Sequence, residues 1–545
     1  MTIETEVADL TTATNSLLAA VGVTKATLDS YAAIAQSSAS SASADAISAS
    51  ASAALATASK DAAALAEAAA TTAKNTTIAV AAGGTASLTA IAARMPLTDG
   101  SGKLDDTWLS AFTETPQPSI APSLNLDFTK NVLDPRITFT RSSTATYVNS
   151  AGLLVTAQAN SARFDYDPTT LACKGLLIEE ARTNLAKYST ALSDVFWQFT
   201  VGTDTIADNA VAGLDGLPSA STYTQSTASA QHFRYQTQSG WVANSIYVLS
   251  LDVKKISGTH GIILAFGSGI GASSLSTTAR GYARWDTLSS GAATASAISG
   301  TGLVLATDSY PAPNGFTRIE LVFTFDSTNT NTNFSIGYSI GTGGAASTVT
   351  GDGSVYAVTH CQLEALTGST QRSSSRIPTT TTAVTRAADS AYMRGATNFD
   401  AWFNATEGTL VGSAEVRSVV LAGRVIADIS RSTSSANDIY VSLSRSTDSR
   451  RAAGVTVSTA QVDYAPAGTT TSTKIALAYA LNNANAAFDG TLATLDTACT
   501  IPTSLTTLYI GNADSGLTPL NGWVKRISYY QKRIADTELL ELSKA

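Results

Sequence analysis

From Ile3 onward, apolar residues return at alternating intervals of three and four. Positions 3, 7, 10, 14, 17, 21, 24, 28, 31 and 35 carry Ile, Val, Leu, Thr, Leu, Val, Thr, Leu, Tyr and Ala. That period keeps one stripe facing a partner helix, so it defines a coiled-coil seam of Ile3, Val7, Leu10, Leu17, Val21, Leu28 and Tyr31. Mixed Ile, Val and Leu along the seam permits trimers. The seam then thins. Residues 36–74 hold 18 Ala and 9 Ser in 39 positions. Ala is the best helix former but buries little area, so a close-packed helix bundle and a low-complexity linker both fit this stretch. If helical throughout, residues 3–75 span on the order of 110 Å.

The pattern breaks at Gly83-Gly84. The segment PLTDGSGKLDDTWLSAF (Pro96–Phe112) opens like a calcium loop, but Leu104 stands where Gly is needed and Ser110 where Glu is needed. It reads as a polar turn that ends the rod. Three prolines in TPQPSIAP (Thr115–Pro122) give an extended linker.

Beyond residue 122 the period becomes two. Runs rich in Thr, Val, Ile, Tyr and Phe alternate with Gly, Asn, Asp and Ser clusters, the pattern of β-sandwiches. In SIYVLSLDVKK both faces are largely apolar at first, which predicts a central strand. In RIELVFTF, residues Ile319, Leu321, Phe323 and Phe325 share one face. The expected fold is therefore multidomain and mainly β. An N-terminal Ala/Ser-rich α-helical coiled coil occupies residues 1–95 and a linker 96–122. A β-rich connector follows over 123–190, a jelly-roll sandwich over 191–372, a linker over 373–398 and a second sandwich over 399–545. Thr140-Arg141 before Tyr147 is echoed by Thr385-Arg386 before Tyr392, which suggests equivalent lead-in strands.

Composition excludes several functions. Only 14% of residues are charged and the net charge is −8, which leaves no basic face for phosphate backbones, so no nucleic-acid partner is expected. Three cysteines and three histidines, scattered, show neither a disulfide framework nor metal spacing. No cofactor or metal is expected. MTIETEVADL lacks the pattern of a secretory signal, and no apolar run is long enough to insert in a membrane. There is no G-x-S-x-G elbow, Walker loop or G-x-G-x-x-G. The neighbours Glu179 and Glu180 read as solvated charges rather than a catalytic pair. No enzyme is expected.

The middle sandwich resembles the carbohydrate-binding-module-like jelly rolls of bacteriophage tail fibre proteins. The resemblance rests on Phe196-Trp197, Asp215-Gly216, SIYVLSLDVKK, PNGFTRIELVFTF and TGDGSVYAVTHCQLEAL, the last with its Gly351-Asp352-Gly353 turn and Gln362-Leu363-Glu364. The last domain resembles the concanavalin A-like, laminin-G-type lectin fold, through Phe488-Asp489-Gly490, LYIGNADSG and LNGWVKRISYYQKRIADTELLELS. The resemblance implies a homotrimeric, virion-attached tail fibre, made and assembled in the host cytoplasm. Its N-terminus would join other tail or baseplate proteins, and its sandwiches would bind bacterial surface glycan. A glycan-cleaving tailspike and a structural fibre without receptor affinity are the alternatives.

Sugars present an apolar face and a polar rim, so glycan candidates pair aromatics with polar side chains. In the middle sandwich these are Trp197, His232, Arg234, Tyr235, Trp285 and Asp352. His232 and Arg234 face one way on their strand and Phe233 and Tyr235 the other; which pair faces out is open. The tryptophans read equally as core. In the last domain the candidates are Asp489, Asn512 and Asp514, in loops where related lectins hold ligand or calcium.

Overall fold

The computed structural model describes most of residues 120–544 and, near the start, residues 6, 8–17 and 19. The chain divides into two compact units, Met1–Thr115 and Pro116–Ala545. In the first, the described positions are helical. Thr12 and Thr14 return their hydroxyls to the carbonyls of Ala8 and Leu10, so neither breaks the helix. Leu10 and Leu17 are 69% and 67% exposed in the single chain. The other seam positions, Ile3, Val7, Val21, Leu28 and Tyr31, lie outside the described residues, as do the Ala/Ser tract and the turn at 96–112.

Among the described residues, the second unit holds two β-sandwiches, one inserted into the other. The inserted sandwich has two six-stranded sheets. In one, the strands run Gly302–Ala312, Phe316–Phe325, Ile246–Ser257, Val355–Leu366, Pro218–Thr224 and Thr205–Ala212. SIYVLSLDVKK is central there, as its two apolar faces require. The other runs Thr294–Gly300, Ala279–Trp285, Gly261–Ser268, Asn333–Gly341, Phe233–Ser239 and Gln198–Phe199. Between them pack Leu249, Leu251, Ile319, Leu321, Phe323 and Tyr338.

The surrounding sandwich is built from both ends of the unit. Strands Glu407–Val416 and Ser472–Ala480 pair beside Gly522–Tyr530. To that last strand are added Cys173–Ile178 and Leu124–Asp127, both from the segment expected to be a connector. The facing sheet likewise takes Thr138–Thr140 onto Ser390–Arg394. Leu124, Leu126 and Phe128 lie in the same core as Trp402, Leu410 and Ile527. At about 1.5–3 kcal/mol per buried large side chain, those three alone are worth a large part of a typical domain stability of about 5–15 kcal/mol. Residues 123–190 are therefore not a separate layer, and the linear domain order expected above is corrected. Periodicity marks strands but carries no information on which strands pair. One glycine makes the docking feasible: Gly175 has φ +115°, and a Cβ there would lie 2.3 Å from the Val524 carbonyl oxygen.

Residues 373–398, expected as a linker, are also structural. Val384–Arg386 pairs antiparallel with Arg182–Asn184. The chain thus enters and leaves the inserted sandwich through two zipped strands. Ser373–Arg376 runs between the sandwiches and bonds to both. Ser373 donates to Glu320, Ser374 to Glu364 and Ser375 to Glu179. Arg376 pairs with Asp252 at 2.6 Å, and Arg318 reaches the same carboxylate at 2.6 Å. Burial alone would raise the Asp252 carboxyl, but Arg376 and Arg318 outweigh it and hold it at about 2.

Around the neck sits a second buried network. Asp389 accepts from Arg141 at 3.0 Å, from Arg163 at 2.6 Å and from the Glu179 amide at 2.9 Å. Glu179 accepts from Arg163 at 2.8 Å and lies 3.6 Å from Arg386. Burial opposes its charge, but Arg386 and Arg163 together keep it well below the usual carboxylate range. Glu179 is therefore buried and paired, not solvated as its sequence context suggests. The echoed Thr-Arg dipeptides meet here, since Arg141 and Arg386 converge on one cluster.

Removing one partner of a buried ion network leaves the others uncompensated, at about 3–5 kcal/mol. Asp389→Ala is expected to lower unfolding free energy by about that much in urea titration. A loss within about 0.5 kcal/mol, the range of ordinary surface changes, would mean the network contributes nothing.

Candidate functional site at the sandwich junction

Most residues chosen from sequence turn out to build the sandwiches. Trp197 and Trp285 are core residues, and the Trp197 indole donates to the Tyr188 carbonyl at 3.1 Å. His232 and Arg234 face inward. The His232 Nδ1 lies 2.7 Å from Asp204. Arg234 donates to the carbonyls of Leu192 and Asp194, and its guanidinium covers Phe199 at 4.2 Å. These two polar side chains were the most site-like of their run, yet both are spent on backbone carbonyls and an internal carboxylate. Phe233 and Tyr235 lie on the opposite face, stacked at 6.0 Å, and are buried with Ile263 and Ala265.

The loop candidates are turn clips. Asp352 accepts from Thr259 and Ser354, which more than offset burial and hold its carboxyl well below the ordinary value. Asp489 accepts from the Lys474 amide at 2.7 Å and pairs with Arg451. Asn512 accepts from the amides of Ala513 and Thr518. The Asp514 amide donates to Asp428, whose carboxyl is pushed well above the usual range by burial and by Asp438. Among the described residues, no group of three His, Cys, Asp or Glu side chains is arranged to hold a metal.

Aromatic and polar groups converge instead where the two sandwiches meet. Residues from five stretches of chain assemble the place: 146–182, 308–313, 371–376, 417–418 with Arg424, and 521–523. They line two adjoining cavities of about 60 and 190 Å³ that share Val148, Asp165, Arg376, Arg417 and Trp523. A single water needs about 10–15 Å³, so the larger one holds a group well beyond one water. Trp523 comes from the surrounding sandwich, where Gly522–Tyr530 begins. Its indole donates to Asp165 at 2.9 Å, and Lys174 caps the ring at 3.4 Å while pairing with Glu415 at 2.9 Å. Tyr310 comes from the inserted sandwich, and its hydroxyl donates to Glu320 at 2.8 Å. Arg417 bridges the two: its guanidinium sits 4.6 Å from the Tyr310 ring and 5.7 Å from the Trp523 ring, and donates to the Tyr310 hydroxyl at 2.7 Å. Burial raises the Tyr310 hydroxyl to about 12 although Arg417 pulls the other way. Asp308, paired with Arg372 at 3.0 Å, stands at the same mouth.

Such a lining, rings facing hydrogen-bonding groups at a domain junction, is the usual chemistry of a small-ligand site. Sequence reading missed all of these residues as a site. They come from five separate stretches, and Trp523 sat in a quoted motif only as the start of a strand.

Comparison with solved structures finds sandwich proteins at low identity. The CBM40 module of the Ruminococcus gnavus IT-sialidase, solved with α2,3-sialyllactose, is 15% identical with a TM-score of 0.23, over 26% of this chain and 84% of that one. A tandem CBM22 pair of Paenibacillus barcinonensis Xyn10C is 10% identical with a TM-score of 0.22, over 66% and 99%. The LG1-3 region of the laminin α2 chain is 9% identical with a TM-score of 0.19, over 56% and 65%. At such scores none of them says what this chain binds. No protein-family model and no curated protein matches the sequence.

The carboxylates near Asp514 give a pH test. Burial, reinforced by the charge of Asp514, raises the Asp438 carboxyl from 3.8 to about 6. The fold therefore prefers the protonated form, and this contribution is complete below about pH 4 and lost as pH rises through 6. Asp438→Asn keeps the shape without the charge. It is expected to unfold later than the parent at pH 7.5, by on the order of 1–2 kcal/mol, and to match it at pH 4. Equal stability at both pH values would show that Asp438 carries no such penalty.

Proposed function

We propose that this chain is a non-catalytic glycan-binding adhesin, acting as a homotrimeric tail fibre at the surface of a phage particle. The single observation that supports binding is the junction cleft, where Tyr310 of one sandwich and Trp523 of the other wall a cavity holding Asp165, Arg376 and Arg417. A sugar ring placed there would set its C–H face on the aromatic walls and its hydroxyls on the charged groups. The candidates Trp197, His232, Arg234, Tyr235, Trp285, Asp352, Asp489, Asn512 and Asp514 are not proposed as sugar contacts, since each is committed to core, strand or turn.

The tail-fibre setting rests on the sequence resemblance and on the seam. Leu10 and Leu17, seven residues apart on one helix, stand exposed in the single chain, and burying large apolar side chains is worth about 1.5–3 kcal/mol each. Three copies bound to one repetitive surface make later contacts intramolecular, and avidity rises by roughly 10² to 10⁴. Weak single sites then suffice.

Two measurements test this. The mass in solution is expected at three times 55.9 kDa, falling to the single-chain mass in a Leu10→Ser, Leu17→Ser variant; a monomeric parent contradicts the trimer. On immobilised bacterial polysaccharides the parent is expected to bind without releasing reducing ends. Tyr310→Ala is expected to weaken that binding about tenfold. New reducing ends would favour a cleaving tailspike. Absence of binding to any polysaccharide or cell would favour a structural fibre.

A further inference from the structure

In the surrounding sandwich, the sheet that includes Ser390–Arg394 continues through Thr507–Ile510, Arg424–Arg431 and Ser434–Ser444, paired in that order. Leu508, Ile429 and Ile439 point into the core, so the alternate residues project from the outer face. There Tyr509, Asp428 and Tyr440 form one row across three strands, and Ser430 stands opposite Asp438 in the next. Asp428 and Asp438 are thus diagonal neighbours on one face, about 7–8 Å apart along the sheet. A third carboxylate comes from the chain that leaves Thr507–Ile510. The Asp514 amide donates to Asp428 Oδ2 at 3.2 Å.

Each of these three side chains has one oxygen, Oδ1, that is buried and makes no hydrogen bond among the described residues. Asp428 is 1% exposed although it occupies an outward position. The charges that act on Asp428 are those of Asp438 and Asp514, and Asp514 acts on Asp438 as well. Ala452–Val457 supplies Asp438 with the uncharged Thr456. Cations on the same face are engaged elsewhere. Arg445 pairs with Asp463, which also accepts from the Tyr440 hydroxyl at 3.4 Å. Arg394 donates to Thr507 and to the Tyr509 hydroxyl, both at 3.2 Å. Like charges enclosed together repel, and burial removes the water that would screen them. Asp428 and Asp438 therefore favour the protonated form. As pH rises the half-buried Asp438, raised to about 6, loses its proton before the enclosed Asp428.

We propose that Asp428, Asp438 and Asp514 form a proton-gated clamp on the outer face of this sheet. With Asp428 and Asp438 protonated, residues 512–514 are held down through the Asp514 amide. With Asp438 ionised, its charge and that of Asp514 repel, the amide leaves Asp428, and the flanking rings of Tyr509 and Tyr440 are bared. Gly511 is the pivot. It has φ +68°, and its own amide stays anchored on the Ile426 carbonyl at 2.8 Å. The clamp closes in mild acid and opens at neutral pH. The release is local and leaves the sheet intact.

Hydrogen exchange resolved to single amides tests this on the full chain at pH 5 and pH 7.5, each rate being divided by the intrinsic rate at that pH. The opening equilibrium of the Asp514 amide is expected to rise at least about tenfold between the two, the factor carried by one unit of carboxyl shift. At both pH values it should exceed that of the amides in Ile246–Ser257. In Asp438→Asn the opening is expected to change by less than about twofold over the same range. Asp514→Asn removes the repelling partner and should shrink the response likewise, whereas Asp400→Asn, an exposed control, should keep it. Equal opening of the parent at both pH values, or a response that survives both clamp substitutions, overturns the proposal. So does exchange of the Asp514 amide in step with Ile246–Ser257, which would mean that global unfolding alone frees it. A response abolished by millimolar calcium would put a metal rather than protons between the carboxyls and overturn it too.

Discussion

A single carboxylate, Asp389, holds together what the chain order separates. It accepts hydrogen bonds from Arg141, from Arg163 and from the Glu179 amide, and those groups belong to the lead-in segment while Asp389 follows the inserted sandwich. Breaking such a cluster is costly because each remaining charge is then buried alone. The same logic extends along the junction through Glu179, Arg386, Ser375, Arg376, Asp252 and Arg318. The sandwiches are therefore joined by polar groups whose geometry is fixed by hydrogen bonds, and the cleft between them inherits that fixed shape. Tyr310 and Trp523 face the same cavity because Arg417 and Ser373 tie their sheets at set distances.

Much of the fold was legible because two local rules suffice for strands. Alternation placed Ile319, Leu321 and Phe323 in the core, and the two-faced run Ile246–Ser257 at a sheet centre. The amphipathic tail becomes the helix Asp536–Leu542, with Leu539 buried on the sheet. The insertion was not legible. Nothing in LNLD or CKGLLI states that their partner lies about 400 and about 350 residues later, on Gly522–Tyr530. Low charge overall hid a second feature. Only 14% of residues are charged, yet most of the buried charges among the described residues lie in the junction, and reading Glu179 as solvated followed the average rather than the place.

The site was less legible than the fold, for a physical reason. Aromatic and polar side chains close together in sequence, such as His232, Phe233, Arg234 and Tyr235, alternate between two faces, and here both faces are buried. Arg234 illustrates the outcome: its N–H groups are taken up by carbonyl oxygens and its face by a ring, leaving nothing for a ligand. A cleft between two sandwiches draws instead on strand ends and connections from distant stretches. Its members share no spacing in the sequence.

The central claim is that buried charge fuses the two sandwiches into one cooperative body. Hydrogen exchange read by mass spectrometry along a urea series tests it most directly, by following peptides from Ile246–Ser257 and Glu407–Val416 in the same sample. Loss of protection in both at one urea concentration is the result expected. An inserted sandwich that keeps its protection after the surrounding one has opened would contradict it.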